Sequence, residues 1–275
     1  MSGPPISLSG ITVLYGPKPA AAWPRVQAMA REGASIAAIR TATGHVPGLL
    51  DATLDLPAGS LCVVMGLSGS GKSTLLRCIN RLVTPFAGRV QVGEVDVTAL
   101  DVAALRAFRR TSAAMVFQHF GLLPRRSALE NVAFPLRIAG KPPAAAHDAA
   151  RAVLARLGLD AVAGEPVEAL SAGMKQRVGL ARALVTDAPV LLMDEPFGAL
   201  DPITRRAVQD ELKGLQRDLR KTVVVITHDP HEALRLADFI AVVREGRVVQ
   251  SGAPDALMRA PADDHVAALL AAAQT

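Results

Sequence analysis

Residues Gly66–Thr74 read GLSGSGKST; they follow the apolar run LCVVM of Leu61–Met65 and lead into TLLRCINRLV, Thr74–Val83, which has helical periodicity. The stretch fills the pattern G-x-x-x-x-G-K-[ST] completely, at the strand-to-helix junction its chemistry requires. Glycines let backbone N–H groups turn inward around phosphate oxygens, and the helix N-terminus adds about half a positive charge facing the anion. Lys72 is expected to reach the β- and γ-phosphates and Ser73 to hold Mg²⁺ through its hydroxyl, with Gly66, Ser68, Gly69, Ser70, Gly71 and Thr74 completing the cradle.

Outward from this loop, the chain alternates strand and helix signals. Strands are expected at Ile11–Tyr15, Leu50–Leu56, Leu61–Met65, Arg89–Val97, Ala113–Phe117, Val190–Asp194, Thr222–Thr227 and Phe239–Gln250, several of them continuous apolar runs. Helical patterns cover Thr74–Val83, Ser127–Ile138, Ala144–Leu157, Met174–Val185, Ile203–Leu219 and His231–Ala237. Such alternation predicts an α/β fold with a mostly parallel core sheet, covered on both faces. An Ala-rich stretch, Ala20–Thr43, interrupted by Pro24 and Gly33, reads as a helical arm, and the region from about 119 to 185 as an inserted helical subdomain.

Two other apolar strands end in polar groups suited to phosphate chemistry. VLLMDE, Val190–Glu195, ends in two carboxylates. Asp194 can orient Mg²⁺ through its water shell, and Glu195 can polarise an attacking water as general base. His228 ends VVVITH and is placed to sense and donate to a γ-phosphate; Gln118 ends AAMVFQ, and its amide can order a water or Mg²⁺.

Composition narrows the ligands. The net charge of +5 suits anions, but the basic residues are dispersed, and nucleic acid is not expected as a partner. An aromatic share of 3%, with one Trp and one Tyr, supplies neither a cage for a quaternary ammonium nor stacking platforms for single strands. Cys62 and Cys78 lack metal-ligand spacing and read as reduced core residues. No apolar run reaches the roughly 18–20 residues that span a bilayer.

Taken together, Gly66–Thr74, Gln118, LSAGMKQR at Leu170–Arg177, LLMDEP, GALD at Gly198–Asp201, and His228 resemble the ATP-binding cassette (ABC) ATPases. The resemblance implies a P-loop NTPase fold with an antiparallel β subdomain beside the core sheet. It also implies a second copy of the chain, so that two ATP molecules are sandwiched between phosphate loop and signature. Ser171 and Gly173 would then contact the γ-phosphate held by the other copy's Lys72, and Asp201 would link the two sites. Glu195 would be the catalytic base and His228 the switch histidine; Gln118 would tie nucleotide state to the partner, and Lys72 would complete the catalytic set. Ala172 departs from the glycine usual in the signature.

GLSGSGKSTLLRCINRLVTPFAGRV, MVFQHFGLLPRRSALENVAFPL and LLMDEPFGALDPITRRAVQDEL further resemble the ATP-binding subunits of glycine betaine, proline betaine and choline importers. An insertion at 16–48 points the same way. The implied setting is the cytoplasmic face of the inner membrane, with permease subunits as direct partners and a substrate-binding protein as an indirect one. The chain 1–275 is expected to be one cassette domain without the C-terminal CBS domains that many of these subunits carry. A methionine or other amino-acid importer is the alternative, and a non-transport cassette a more distant one. Tyr15 reads either as the adenine-stacking aromatic or as ordinary edge-strand packing. Phe120, Leu122 and Leu123 read either as a docking surface for a short cytoplasmic helix of a membrane subunit or as a cap on the helical core.

Overall fold

The computed structural model describes residues 2–118 and 120–273; positions 119 and 275, which bound the expected helical subdomain and cassette domain, lie outside them. The strand before the phosphate loop, β3 (Leu61–Met65), is buried at every position. Its side chains divide by parity, as a pleated strand requires. Leu61, Val63 and Met65 enter one core, and Cys62 and Val64 another. The same split recurs in β7 (Val190–Asp194) and β8 (Thr222–Thr227), where Leu191, Met193, Val223 and Val225 face one way and Val190, Leu192, Val224 and Ile226 the other. Strands apolar on both faces must be covered on both, and they are.

These strands belong to a six-stranded sheet of order β10-β9-β3-β8-β7-β6, with β6 at Ala113–Val116, β9 at Phe239–Arg244 and β10 at Arg247–Gly252. Every pairing is parallel except β9 with β10. One face carries α5 (Ala128–Ile138), α6 (Pro143–Arg156), α7 (Ala172–Leu184), α8 (Pro202–Leu219) and α9 (Pro230–Leu236). The other packs on α3 (Lys72–Ile79), α4 (Val102–Thr111) and a four-stranded antiparallel sheet of order β2-β1-β4-β5. In that sheet β1 is Ile6–Tyr15, β2 Val46–Leu56, β4 Ala87–Val92 and β5 Val95–Asp96.

Four expectations change. Phe239–Gln250 is two antiparallel strands, turned at Glu245 and Gly246, both at positive φ as a two-residue hairpin needs. Arg89–Val97 likewise folds back, at Gly93, into β4 and β5. Helix α4, capped by Asp101 accepting from Ala104 N at 2.8 Å, was not anticipated, although Leu105 and Phe108 form its buried face. In the arm, Pro24 lies within α1 (Pro19–Arg31) instead of ending it. A proline this near a helix start forfeits a single bond to the carbonyl four residues back. The break falls at Gly33, φ +80°, before α2 (Ile36–Thr43), capped by Ser35. The arm has a small core of its own, where Val26 and Ile39 meet Leu14 and Leu50 with Trp23 alongside; β2 already begins at Val46, inside the 16–48 span.

Cys62 and Cys78 are free and fully buried, and burial pushes both thiols up to about 12. At pH 8 an aromatic disulfide reagent should therefore label neither thiol appreciably in the native chain, and both in denaturant. Rapid native labelling of either would contradict this packing.

Candidate functional site

The parallel register levels the strand ends that carry the polar residues. Met65 pairs with Thr227, Ile226 with Asp194, and Met193 with Val116. The residues that follow each strand, Gly66, His228, Glu195 and Gln118, therefore emerge along one edge of the sheet, at its carboxyl ends.

At this edge the phosphate loop turns tightly. Gly66 adopts φ +153° with its α-carbon against the Val243 carbonyl, and Gly71 adopts φ +108°, where a side chain would come 2.5 Å from Gly48 O. No side chain fits either place. Lys72 opens α3, is 4% exposed, and donates to Gly66 O and Leu67 O, each at 2.8 Å. Burial pulls its ammonium below the usual lysine range, against the opposing pull of the Glu195 and Asp194 carboxylates. Ser68 and Gly69 are exposed at the rim; Ser70 is buried, and its Oγ has no hydrogen-bond partner. Tyr15, at the end of β1, lies over Gly48 with Oη 3.2 Å from Thr74 Oγ1 and is 44% exposed. That places an open aromatic ring beside the start of α3, next to the phosphate loop.

Beside the loop, Ser73 Oγ donates to Asp194 Oδ1 at 2.8 Å, and Arg77 Nη2 holds Asp194 Oδ2 at 3.0 Å. A hydroxyl and a carboxylate so close together are hard oxygen donors of the kind Mg²⁺ takes. Glu195 is in the left-handed region, φ +44°. Such a conformation costs a non-glycine residue about 1–3 kcal/mol. Here it accompanies a carboxylate whose Oε2 lies 3.4 Å from Gln118 Nε2 and 3.3 Å from His228 Nδ1.

A second polar shell stands behind His228. Thr227 Oγ1 donates to Glu232 Oε2 at 2.6 Å and accepts from Asp229 N at 3.0 Å, and Gln209 Nε2 donates to Glu232 Oε1 at 3.2 Å. Arg205 is 3.7 Å from both Asp229 and Glu232. Burial raises the Glu232 carboxyl, although the Thr227 hydrogen bond opposes it. Sequence reasoning passed over Arg77, Arg205, Gln209 and Glu232. The available signal was spacing for Arg77, which is four residues beyond Ser73 on one face of α3.

The signature residues stand elsewhere. Ser171 caps α7, accepting from Met174 N at 3.3 Å, and Asp201 caps α8, accepting from Ile203 N and Thr204 N at 3.1 and 3.0 Å. The Thr204 hydroxyl, then backbone amides, hold the Asp201 carboxyl below the usual range. Gly173 is buried against the Thr204 methyl, where a β-carbon would collide. Along α7, Met174 is 36% exposed, while Gly173, Gln176, Val178 and Ala181 are buried. Among the described residues no hydrogen bond or ion pair joins Ser171, Gly173 or Asp201 to the phosphate loop of the same chain.

With this geometry in view, four likenesses stand out. The family model described as "ABC transporter" matches residues 49–198. The glycine betaine/proline betaine transport system ATP-binding protein ProV of Escherichia coli (strain K12) is 42% identical over 261 residues, 95% of this chain and 64% of that protein. The chain thus spans just under two thirds of that relative's length. The methionine import ATP-binding protein MetN of Caulobacter vibrioides is 48% identical over 223 residues, 81% of this chain and 67% of its own. Among solved structures, the dimeric post-hydrolysis state of the ATP-binding cassette MJ0796 bound to ADP and Pi superimposes with a TM-score of 0.75 at 30% identity. That superposition covers 90% of this chain and 98% of the other.

The network around Glu232 is directly testable. Glu232→Ala strands the buried Gln209 amide and Thr227 hydroxyl, so stability in urea should fall by about 1–3 kcal/mol. Glu232→Gln removes the titration instead. An acid whose folded pKa is raised contributes its full stability below its unfolded pKa and loses it as pH rises through the folded one. The parent should therefore lose ground to the Gln variant as pH climbs from 4 towards neutrality. Parallel stability curves for the two would refute the raised Glu232.

Proposed function

This chain belongs to the ABC transporter family, and from that footing we propose that it is the ATP-hydrolysing subunit of an importer for a quaternary amine or similar compatible solute. Glycine betaine, proline betaine and choline are the solutes in view. The observation that carries the reading is the convergence of Gln118 and His228 on the Glu195 carboxylate, at the sheet edge where Lys72, Ser73 and Asp194 gather.

The division of labour follows from position. ATP would lay its phosphates in the Gly66–Thr74 cradle, with Lys72 exchanging its two loop carbonyls for phosphate oxygens and adenine resting on Tyr15. Mg²⁺, when bound, neutralises phosphate charge, and Ser73, Asp194 and the Gln118 amide oxygen are the groups to hold it. Glu195 takes a proton from the attacking water, an effect typically worth about 10²–10⁴ in rate. His228, already beside Glu195, orients that water and the γ-phosphate. Gln118, on the loop after β6, relays the state of the site outward.

Ser171, Gly173 and Asp201 lie apart from their own phosphate loop, which supports a second copy of the chain as the other half of each site. Ser171 offers the free amides of α7 to the partner's γ-phosphate. Transport would join this dimer to permease subunits at the cytoplasmic face of the membrane, a substrate-binding protein acting through them. A groove floored by Phe117, Leu123, Phe134 and Ile138 and rimmed by Arg109 and Arg182 suits a short permease helix. Of the loop residues considered for this role, Leu122 packs on the helical core. The domain reading is one cassette over 1–275, with the 16–48 arm and a helical part at about 119–185. Two glycine betaine transport relatives align over 261 residues, too many to omit the whole arm, which supports the quaternary-amine reading.

Glu195→Gln should keep ATP binding, lose turnover by at least about a hundredfold, and yield ATP-dependent dimers in light scattering. Hydrolysis at the parental rate would remove Glu195 from the role of base. Ser171→Asp keeps an N-cap of equal quality but sets a carboxylate against the partner's phosphate. It should unfold like the parent yet lose ATPase activity. Gly173→Asp is the poorer probe, because it also collides with Thr204 of its own chain. Uptake of labelled betaine, choline and methionine in a deletion strain decides the solute; loss of methionine uptake alone would select the amino-acid importer.

A further inference from the structure

The helical arm does not stand away from the phosphate loop. Ile36, Arg40 and Thr41 of α2 line one wall of a cavity of about 810 Å³, whose opposite wall includes Ser68 and Ser70. Ile36 with Arg40 and Ala37 with Thr41 are i, i+4 pairs, so the second helix of the arm contributes a broad side to the cavity. The volume lies within the roughly 300–1,000 Å³ typical of small-ligand sites.

Several polar side chains of this cavity, Ser68, Ser70, Arg40 and Glu245, make no hydrogen bond or ion pair among the described residues, and two of them bear on a ligand. Ser70 is 7% exposed, and its Oγ makes no hydrogen bond; a buried hydroxyl left open in this way calls for a ligand atom or water. The Arg40 guanidinium is exposed and forms no hydrogen bond or ion pair among the described residues. The other titratable groups on the wall are Arg244, paired with Asp263 at 2.7 Å, His265, which acts on the same Asp263, and Glu245, a carboxylate on the hairpin turn with no ion pair among the described residues. The free cation therefore comes from the arm. The arm is also rooted at the site, because Tyr15 precedes it and Gly48, against which Gly71 packs, follows it.

We infer that the arm is a working part of the nucleotide site, with α2 forming one of its walls and Arg40 engaging the phosphate chain of a bound nucleoside triphosphate. This rests on the reading of Gly66–Thr74 as an ATP site. Guanidinium suits such a contact, since it stays charged and offers paired donors to phosphate oxygens. The arm would then set how tightly this cassette holds ATP over nucleotides with fewer phosphates.

The test is nucleotide binding by calorimetry, with ATP, ADP and AMP, on the full chain and four variants. Arg40→Ala should weaken ATP binding about tenfold, the loss expected for one charge-assisted hydrogen bond, and affect AMP least. Arg40→Lys should recover part of the loss. Arg25→Ala, an exposed arginine of α1 outside the cavity wall, should match the parent. The Arg40→Ala chain should melt like the parent without nucleotide and gain less on adding ATP. Parental ATP affinity in Arg40→Ala, with Lys72→Ala defective, would overturn this inference alone. Undiminished binding in Lys72→Ala would overturn the ATP-site reading beneath it as well.

Discussion

The parallel pairing of β3, β8, β7 and β6 is the constraint on which the rest of the molecule depends. Parallel strands all present their carboxyl ends to the same edge, and here the pairings of Met65 with Thr227, Ile226 with Asp194 and Met193 with Val116 bring those ends level. Gln118, Glu195 and His228, far apart in sequence, thereby meet, with polar atoms of Gln118 and His228 at 3.4 and 3.3 Å from the Glu195 carboxylate. The arrangement is rigid because both faces of each strand are packed, and a shift of one residue would exchange the two cores. Precision at the polar edge is thus a by-product of apolar burial beneath it.

Buried charge at that edge is handled by pairing. Lys72 sits against two carbonyls, Asp194 against Ser73 and Arg77, and Glu232 against Thr227 and Gln209. Each of these would be costly to leave alone in a low-dielectric setting. Around Lys72 and Asp194 the partners are loop carbonyls, a hydroxyl and a half-exposed guanidinium, groups that the proposed function has exchanging for a phosphate and its counterion. The Glu232 set is different in kind. It ties Gln209, within α8, to the Thr227–Asp229 turn that carries His228.

Charge at the helix N-termini follows a second logic. Helices α7 and α8 both begin with capped ends beside one another, linked by Thr204, whose hydroxyl meets Asp201 and whose methyl rests on Gly173. Among the described residues no hydrogen bond or ion pair ties these capped ends to the chain's own phosphate loop, which is the physical ground for proposing that a second copy completes each site.

How much was legible in advance differs from element to element. The strands at Leu61–Met65, Val190–Asp194 and Thr222–Thr227 were readable to the residue, because a continuous apolar run bounded by polar groups has few alternatives. The glycine positions of Gly66–Thr74 were readable too, since Gly66 and Gly71 sit at positive φ with no room for a side chain, whereas Lys72 and Ser73 were read from the motif's chemistry. The hairpins at Gly93 and Glu245–Gly246 were lost inside longer apolar runs, since a turn shorter than the periodicity window leaves little trace. What only the tertiary structure decided is proximity: Arg77 on Asp194, Glu232 behind His228, Gly173 against Thr204, and α2 of the arm across from Ser70. By itself the sequence determines which residues lie in strands and which loop can hold phosphate, because those depend on neighbours along the chain. It does not determine which side chains meet across the sheet, because that depends on strand order and on where an inserted arm comes to rest.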